Sequence, residues 1–329
     1  MNKLILLSVF ICLAQLVGAQ CVSGDCNNGF GKHQYYDGYY EGNWKNSQWE
    51  GQGKYVLKDK YTYTGTFSDG LLTGKGTIEF SNGNRYVGDV YDGLFQGSGV
   101  LTYSDGKTFE GEFKKGEIWS GKGFVAIGED TYNGQILEGK FHGQGVYRDK
   151  EGRMFEGVFN NGIPWTGKGF TLQKEGTYTG EIFEGKIHGN GVFKYNSNGL
   201  KLEGKFVNGT IVDGKGYIKD FNGDYYGEIV NSTYHGHGTY THRDGWKYSG
   251  RFVNGKVTSG TMNYVDKSSY SGDFLNNKPH GKGTLKYTDG YTYSGSVEYG
   301  KRQGQGSLYD KDGNLVYSGR WSNDKPIDR

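Results

Sequence analysis

Three histidines lie within eight residues of the stretch STYHGHGTYTHRDG, which runs from Ser232 to Gly245. They are His235, His237 and His242, out of seven histidines in the chain. Histidine is the commonest metal ligand among side chains and a frequent general base in enzymes. The spacing therefore raises two kinds of site, a zinc centre and a hydrolytic active site.

The alternation of side chains along a strand argues against both kinds of site. In a regular strand, His235 and His237 face one side of a sheet and His242 faces the other. The three rings cannot then converge on one ion without a bulge, so we expect no metal site. The chain also lacks a Gly-x-Ser-x-Gly elbow, a P-loop and a His-Glu-x-x-His motif. We therefore expect no catalytic, cofactor-binding or metal-binding residues and predict that the protein is not an enzyme.

The N-terminal sequence MNKLILLSVFICLAQLVGAQC is typical of a secretory signal peptide. Lys3 supplies a basic start, residues 4–17 form the apolar stretch, and small residues precede the expected cleavage after Ala19. Because Gln20 precedes Cys21 where a lipoprotein signal has a small residue, a lipid anchor is not favoured. We expect a secreted, periplasmic or otherwise extracellular protein. In that oxidising compartment, Cys21 and Cys26 are predicted to form a disulfide.

Composition indicates the fold class and excludes one class of partner. Glycine accounts for 60 of 329 residues and aromatic residues for 16%. This abundance of both, with few helix-forming residues, predicts β-structure with many turns. The formal net charge is +2 and no long run of like charge occurs. Nucleic-acid binding is therefore not expected, and attraction to anionic lipid is weakened.

A five-residue motif recurs about every 23 residues, first as YEGNW at Tyr40 and YTGTF at Tyr63. Its central glycines are Gly42, Gly65, Gly88, Gly111, Gly134, Gly157, Gly180, Gly204, Gly227, Gly250, Gly272, Gly295 and Gly319. A second motif, Gly-x-Gly, follows nine or ten residues later. Its first copies contain Gly51 and Gly53, Gly74 and Gly76, Gly97 and Gly99, and Gly121 and Gly123. One copy, GTM at Gly260, lacks the second glycine.

The two motifs predict one β-hairpin for each repeat. The Tyr, Gly and Phe of Tyr-x-Gly-x-Phe share one strand face, and so do both glycines and the apolar residues that follow them. An aromatic ring on one strand can then lie on a glycine of its neighbour. Asn-Gly and Asp-Gly pairs supply tight turns. The predicted fold is all-β: an elongated, single-layer antiparallel β-meander, a solenoid of hairpin repeats of about 23 residues.

The segments YEGNWKNSQWEGQGKY and YSGDFLNNKPHGKGTLKYTDG resemble MORN repeats. About thirteen copies in register cover residues 40–329, with the last copy truncated. They follow the signal peptide at residues 1–19 and an N-terminal cap at residues 20–39, which holds the cysteine pair and a partial repeat. The resemblance implies an elongated meander, often dimeric, that serves as a scaffold. It also implies phospholipid contact for some members of the family.

Copies in the centre of the array alternate in length. Ten residues separate the two glycine motifs in the copies at Phe109, Phe155, Leu202 and Tyr248, and nine separate them in the intervening copies. The alternation gives a double period of about 46 residues. It predicts a wider turn or a bulge on every second hairpin between residues 109 and 250.

The aromatic face has two interpretations. In the first, the rings lie on glycines and the face covers itself; in the second, part of the row binds a partner. The candidate interaction face consists of Tyr40, Trp44, Tyr63, Phe67, Tyr86, Phe109, Phe113, Tyr132, Phe155 and Phe159. Lysines in several Gly-x-Gly motifs could bind anionic groups, but pairing with glutamates across the strands is the favoured interpretation. These are Lys75, Lys122, Lys168, Lys215 and Lys282.

The predicted function is that of a non-catalytic, exported scaffold or binding protein without a cofactor. It would use its sheet surface for protein contacts or for self-association as a homodimer, with the protein partner unidentified. Binding to a membrane surface or phospholipid is one alternative. Glycan binding by aromatic stacking is the other.

Overall fold

A computed structural model describes residues 20–327 of the chain. Those residues form 28 β-strands and no helix, which confirms the predicted all-β class. The expected signal peptide at residues 1–19 lies outside the described residues. The chain divides into two compact units, with the boundary between Gly169 and Phe170. None of the segments between residues 20 and 327 is a helix long and apolar enough to cross a membrane.

In the first unit, each strand pairs antiparallel with the next one along the chain. The strands are β1 (Gln20–Gly24), β2 (Phe30–Tyr35), β3 (Gly38–Lys45), β4 (Gln48–Leu57), β5 (Tyr61–Ser68), β6 (Leu71–Phe80), β7 (Arg85–Tyr91), β8 (Leu94–Thr102), β9 (Thr108–Lys114), β10 (Glu117–Ile127), β11 (Asp130–Leu137), β12 (Lys140–Arg148), β13 (Met154–Asn160) and β14 (Ile163–Gln173), which contains the boundary.

The second unit follows the same sequential antiparallel pairing. Its strands are β15 (Gly176–Phe183), β16 (Lys186–Tyr195), β17 (Lys201–Val207), β18 (Thr210–Lys219), β19 (Gly223–Val230), β20 (Thr233–His242), β21 (Lys247–Val253), β22 (Lys256–Asn263), β23 (Ser269–Leu275), β24 (Lys278–Lys286), β25 (Thr292–Glu298), β26 (Lys301–Tyr309), β27 (Leu315–Ser322) and β28 (Lys325–Pro326). Each unit is thus a β-meander built from hairpins.

The hairpin turns have the same length in the longer and shorter copies. Glu138 and Gly139 form the turn of a shorter copy, with φ of 52° and 70°. Lys115 and Gly116 form the turn of a longer copy, with φ of 52° and 82°. Two residues with positive φ are the signature of a type I′ turn, whose twist suits a two-stranded hairpin. The prediction of a wider turn on every second hairpin is therefore wrong.

The shorter copies carry a two-residue bulge. In the hairpin of β11 and β12, Gly134 pairs with Gly145, while Gly143 and Gln144 have no partner on β11. Gly143 has a φ of 55°, in the left-handed region that favours glycine. The first glycine of the Gly-x-Gly motif therefore forms the bulge, and the second one pairs.

The longer copies carry a one-residue bulge in a different register. In the hairpin of β9 and β10, Gly111 pairs with Gly121, the first glycine of the motif, and only Trp119 lies outside the pairing. The equivalent residues in the other three longer copies are Trp165, Val212 and Thr258. Bulges therefore occur in both classes of hairpin, and their size, rather than their presence, follows the double period.

The register explains the copy that lacks a glycine. On β10, Gly121 pairs with Gly111 on one side and Gly123 pairs with Gly134 on the other, so the row of paired glycines moves by two residues. On β22, Gly260 pairs with glycines on both neighbouring strands. The row does not move there, and Met262 occupies the position that elsewhere must be glycine.

Replacing a paired glycine should be far more destabilising than replacing a glycine in a turn. A Cβ atom on Gly238 would lie 2.5 Å from Tyr225 Oη and 2.6 Å from its Cε2. Because Tyr225 is buried and Gly227 lies directly across, Gly238→Ala should lower the free energy of unfolding by about 3 kcal/mol. Gly199→Ala is the control, since no atom lies within 4 Å and only its positive φ of 70° costs about 1 kcal/mol. Urea denaturation measures both, and equal losses would contradict this packing.

Candidate interaction surfaces

The ten residues of the candidate interaction face are buried, with exposed fractions between 0 and 7%. They are Tyr40, Trp44, Tyr63, Phe67, Tyr86, Phe109, Phe113, Tyr132, Phe155 and Phe159. A partner cannot reach these rings, so their assignment as a contact face is wrong. The other interpretation, a face covered by its own rings and glycines, describes the structure.

Each two-residue bulge is closed by a buried tyrosine. The ring of Tyr225 lies against Gly227 and Gly238, where no other residue leaves room for it. Its hydroxyl lies 2.8 Å from the backbone oxygen of Glu228 and 3.1 Å from that of His235. The bulge removes such carbonyls from the ladder, and the phenol donates the hydrogen bond that a buried carbonyl requires.

The residue at the same position lacks a hydroxyl in most of the longer copies. Phe109, Phe155 and Leu202 occupy it in three of the four copies with a one-residue bulge. Three of the four one-residue bulges are therefore formed without a hydroxyl at this position. Tyr248 in the fourth copy donates to the Ser259 carbonyl at 2.7 Å.

A second ring stacks on the other side of four of the buried tyrosines, Tyr40, Tyr86, Tyr132 and Tyr225. Phe95 stacks on Tyr86 with ring centroids 3.8 Å apart and an angle of 9° between planes. Phe113, from the next hairpin, meets Tyr86 edge-on at 5.2 Å. Tyr225 has the same neighbours, Tyr234 at 4.0 Å and Phe252 at 5.2 Å. Stacked and edge-on rings both suit the aromatic quadrupole, and together they exclude solvent from the row.

The tryptophans outside the repeat core are partly engaged within the sheet. Trp49 stacks on Tyr40 with ring centroids 4.8 Å apart. Trp119, the bulge residue of β10, is 40% exposed and has Lys114 Nζ at 4.4 Å from the centroid of its ring. Trp119 therefore remains an accessible aromatic group.

The histidine cluster forms no metal centre in the described part of the chain. No group of three His, Cys, Asp or Glu side chains between residues 20 and 327 is placed to hold an ion. His242 stacks on Trp246 at 4.6 Å and lies 3.2 Å from Asp244. His235 contributes its backbone oxygen to the tyrosine that closes the bulge. These contacts give both histidines structural roles in the hairpin.

Four of the five lysines in the Gly-Lys-Gly copies lie beside carboxylates, whereas Lys282 pairs in register with Ser296. Lys122, Lys168 and Lys215 are paired in register with Glu110, Glu156 and Glu203, respectively. Lys75 Nζ lies 3.3 Å from Asp89 Oδ1. This placement favours neutralisation across strands over a free cationic row.

Cys21 and Cys26 form a disulfide, with their Cα atoms 6.0 Å apart. It links β1 to the loop before β2, at the start of the first unit. The bond closes a loop at the position that the sequence assigns to an N-terminal cap.

A surface that the sequence analysis missed lies on the outer face of the second unit. The last strand residue before the turn is apolar in five consecutive hairpins and points away from the core. We call these five residues, Phe183, Val207, Val230, Val253 and Leu275, the apolar row. Four of them are between 38% and 47% exposed, and Val253 is half-buried. In the first unit the same position holds lysines, serine and asparagine as well as apolar residues.

Polar residues border the apolar row on both sides. Across the turn, Phe183, Val253 and Leu275 pair with lysines, and Val207 and Val230 pair with threonines. The lysines are Lys186, Lys256 and Lys278. Away from the turn, the outer face carries a charged residue two positions earlier in each strand. These residues are Glu181, Lys205, Glu228, Arg251 and Asp273. An exposed apolar stripe with a polar border is typical of an interaction site. In the sequence, the apolar row corresponds to a single repeat position, three residues after the central glycine of each of these five hairpins.

A scan against protein-family models finds the MORN repeat at eight segments that together cover more than half of the chain. They are residues 40–60, 63–85, 86–108, 132–152, 178–200, 225–247, 270–290 and 293–315. Eight is fewer than the thirteen copies predicted. The eight matched copies are the ones with a two-residue bulge. The unmatched copies are the four with a one-residue bulge and the copy at Gly319.

The solved structures that match give no support for a particular fold or function. A mutant of the TCP10 domain of Danio rerio CPAP is 12% identical, with 82% of this chain and 95% of that chain covered and a TM-score of 0.13. A streptogramin B lyase is 11% identical, with 79% and 87% covered and a TM-score of 0.12. Both TM-scores are too low to support a likeness of fold or function. A search of curated proteins finds no match.

The buried tyrosines should make the protein unstable at alkaline pH. Burial raises the pKa of Tyr132, Tyr178, Tyr225 and Tyr270 from 10.0 to about 12. The unfolded chain therefore loses these protons at lower pH than the folded chain. The stability that neutral tyrosine gives is complete below pH 10 and is lost as the pH rises towards 12. Urea denaturation at pH 7, 8.5 and 11 should show the same midpoint at the first two values and a much lower midpoint at pH 11.

Tyrosinate absorbance at 295 nm tests the same point without denaturant. We expect part of the 28 tyrosines to resist ionisation until the circular dichroism signal of the fold is lost. Ionisation of every tyrosine in one step near pH 10, with the fold intact, would contradict the role of the buried hydroxyls.

Proposed function

The chain belongs to the MORN-repeat family, and on that premise we propose that it is an exported, non-catalytic scaffold that binds a protein partner through the apolar row. MORN repeats typically bind proteins or membranes. The five apolar side chains at one position of five consecutive hairpins carry this proposal. They lie on the outer face, which the packing of the core leaves free.

Export is supported by two features of the N-terminus. Residues 1–19 have the basic start, apolar stretch and small residues of a signal peptide. The disulfide between Cys21 and Cys26 follows at once and is typical of an oxidising compartment. The partner would therefore be an extracellular or periplasmic protein.

The dimensions of the apolar row suit a protein partner. Neighbouring members lie two strands apart, about 9.6 Å at a strand spacing of about 4.8 Å. Five members then extend over about 38 Å, which matches one side of a standard protein interface better than a small ligand. Because side chains such as Phe183 and Leu275 are only half covered, a partner would bury substantial apolar area on docking.

The border of the row indicates the charge of the partner. Lys186, Lys256 and Lys278 lie directly across the turns from apolar members of the row. A partner with apolar anchors flanked by carboxylates would complement both the row and its lysine border. The same charges are too few for strong attraction to anionic lipid, and lysines elsewhere on the sheet lie opposite glutamates. We therefore favour an acidic protein segment over a membrane.

The test uses the chain from residue 20 to residue 329, immobilised and exposed to the medium or periplasmic extract of its source. Val207→Asp combined with Val230→Asp places two charges in the centre of the row and should reduce recovery of a specific partner by at least tenfold. The matched control is Val265→Asp, which changes a 65% exposed valine outside the row. Raising the salt from 50 to 300 mM should weaken capture, because the lysine border is exposed.

Recovery of the same proteins by the row variant and the control would contradict the proposal. Sedimentation with phosphatidylserine vesicles, retained by the row variant, would favour the membrane alternative. Light scattering of the wild type and the row variant shows whether the partner is a second copy of the chain.

A further inference from the structure

A second surface lies in the first unit, at the end of the strands opposite the hairpin turns. Three loops there, residues 36–37, 58–60 and 81–84, border an open groove of about 700 Å³ that we call the loop groove. Its floor includes the buried side chains of Leu57 and Tyr61. The loop groove is separate in sequence from the apolar row of the second unit.

Backbone hydrogen bonds hold the three loops together. The amide of Lys58 donates to the Asp37 carbonyl at 2.7 Å, and the amide of Ser81 donates to the Lys60 carbonyl at 2.9 Å. The side chain of Gln34 donates to the Gly38 carbonyl at 2.7 Å. These bonds fix the loops before any ligand arrives, so little conformational entropy would be lost on binding.

The loop groove presents aromatic rings to solvent. Tyr36 is 96% exposed at the tip of the first loop, and Tyr39 is half-buried beside it. An exposed ring offers a flat apolar face, and its hydroxyl can form hydrogen bonds. Polar groups of Gln34, Thr62 and Ser81 also line the loop groove. A ligand must therefore have flat apolar patches and many hydroxyl or amide groups together.

The charges of the loop groove cancel. Lys58 and Lys60 contribute two positive charges, and Asp59 and Glu79 contribute two negative ones. A phosphorylated or strongly acidic ligand has no net attraction here. The strands that form the walls pair with neighbours on both sides, so no free edge can accept a peptide strand.

We propose that the loop groove binds a neutral oligosaccharide, with a pyranose ring stacked on Tyr36 and hydroxyls bonded to the polar rim. The C–H face of a pyranose is apolar and fits an aromatic ring, while its edge carries hydroxyls that both donate and accept. This site uses different aromatic residues from the buried row, and it does not depend on protein binding by the apolar row.

The test measures binding of cellohexaose, laminarihexaose, maltohexaose and mannohexaose to residues 20–329 by isothermal titration calorimetry. At least one of these neutral hexasaccharides should bind at millimolar concentration or below. Tyr36→Ala should then weaken its binding about tenfold or more, since the stacking ring is lost. Tyr91→Ala is the matched control, because Tyr91 is 69% exposed in the same unit but outside the loop groove, and it should bind within twofold of the wild type.

A second variant shows whether the floor residue acts through its ring alone. Tyr61 Oη is buried and has no hydrogen-bond partner in the structure, so Tyr61→Phe should leave the affinity unchanged and should not lower the unfolding midpoint. The proposal is overturned if none of the four hexasaccharides binds, or if Tyr36→Ala binds like the wild type. Binding of a hexamer of galacturonic acid alone, lost in Lys58→Ala and Lys60→Ala, would also overturn it.

Discussion

The contact between a tyrosine ring and a pair of glycines determines the rest of this structure. A two-residue bulge places two unpaired residues in the strand after the turn. Backbone carbonyls at the bulge then lose their hydrogen-bond partners in the sheet. The phenol of a residue such as Tyr225 reaches those carbonyls only by lying flat over the sheet, where Gly227 and Gly238 leave room. Ring, glycines and bulge therefore require one another, and the loss of one exposes the polar groups that the others cover.

This dependence explains why two classes of repeat alternate. A one-residue bulge pairs the central glycine with the first glycine of the next strand, and the row of glycines then moves by two residues, as at Gly121 and Gly123. Among the copies with a one-residue bulge, the second glycine is needed only where the row moves. Met262 shows the converse, since Gly260 pairs on both sides and a larger residue fits. The MORN family model matches the copies with a two-residue bulge and a buried tyrosine, and it does not match the copies with a one-residue bulge.

Much of the fold follows from the sequence, because a period of two places side chains on faces whatever the register. The hairpins, their tight turns and the position of Tyr63 or Phe67 on the core face could all be predicted from spacing. The size of the bulge could not be predicted, since turns of equal length hide a change in pairing that lies several residues away.

The prediction of the candidate contact face was wrong for a related reason. Composition shows many rings, but only the stacking of Phe95 on Tyr86 shows that they cover one another. The apolar row went unnoticed because a position outside the glycine motifs appears variable until its partners across the turn are known.

Since the rings of the core face are buried, the proposed partner would have to contact positions on the outer face, and the repeat sets the spacing of those positions. Members of the apolar row recur about every 9.6 Å, the width of two strands. An α-helix presents the same face every seven residues, about 10.5 Å, and loses register by nearly 4 Å over the length of the row. A polyproline II segment presents the same face every three residues, about 9.3 Å, and loses little more than 1 Å. The row therefore fits an extended segment with apolar residues at every third position better than a helix. Under the proposal of a protein partner, the lysines across the turns would select for carboxylates between those positions, so spacing and charge together would restrict the partner more than either does alone.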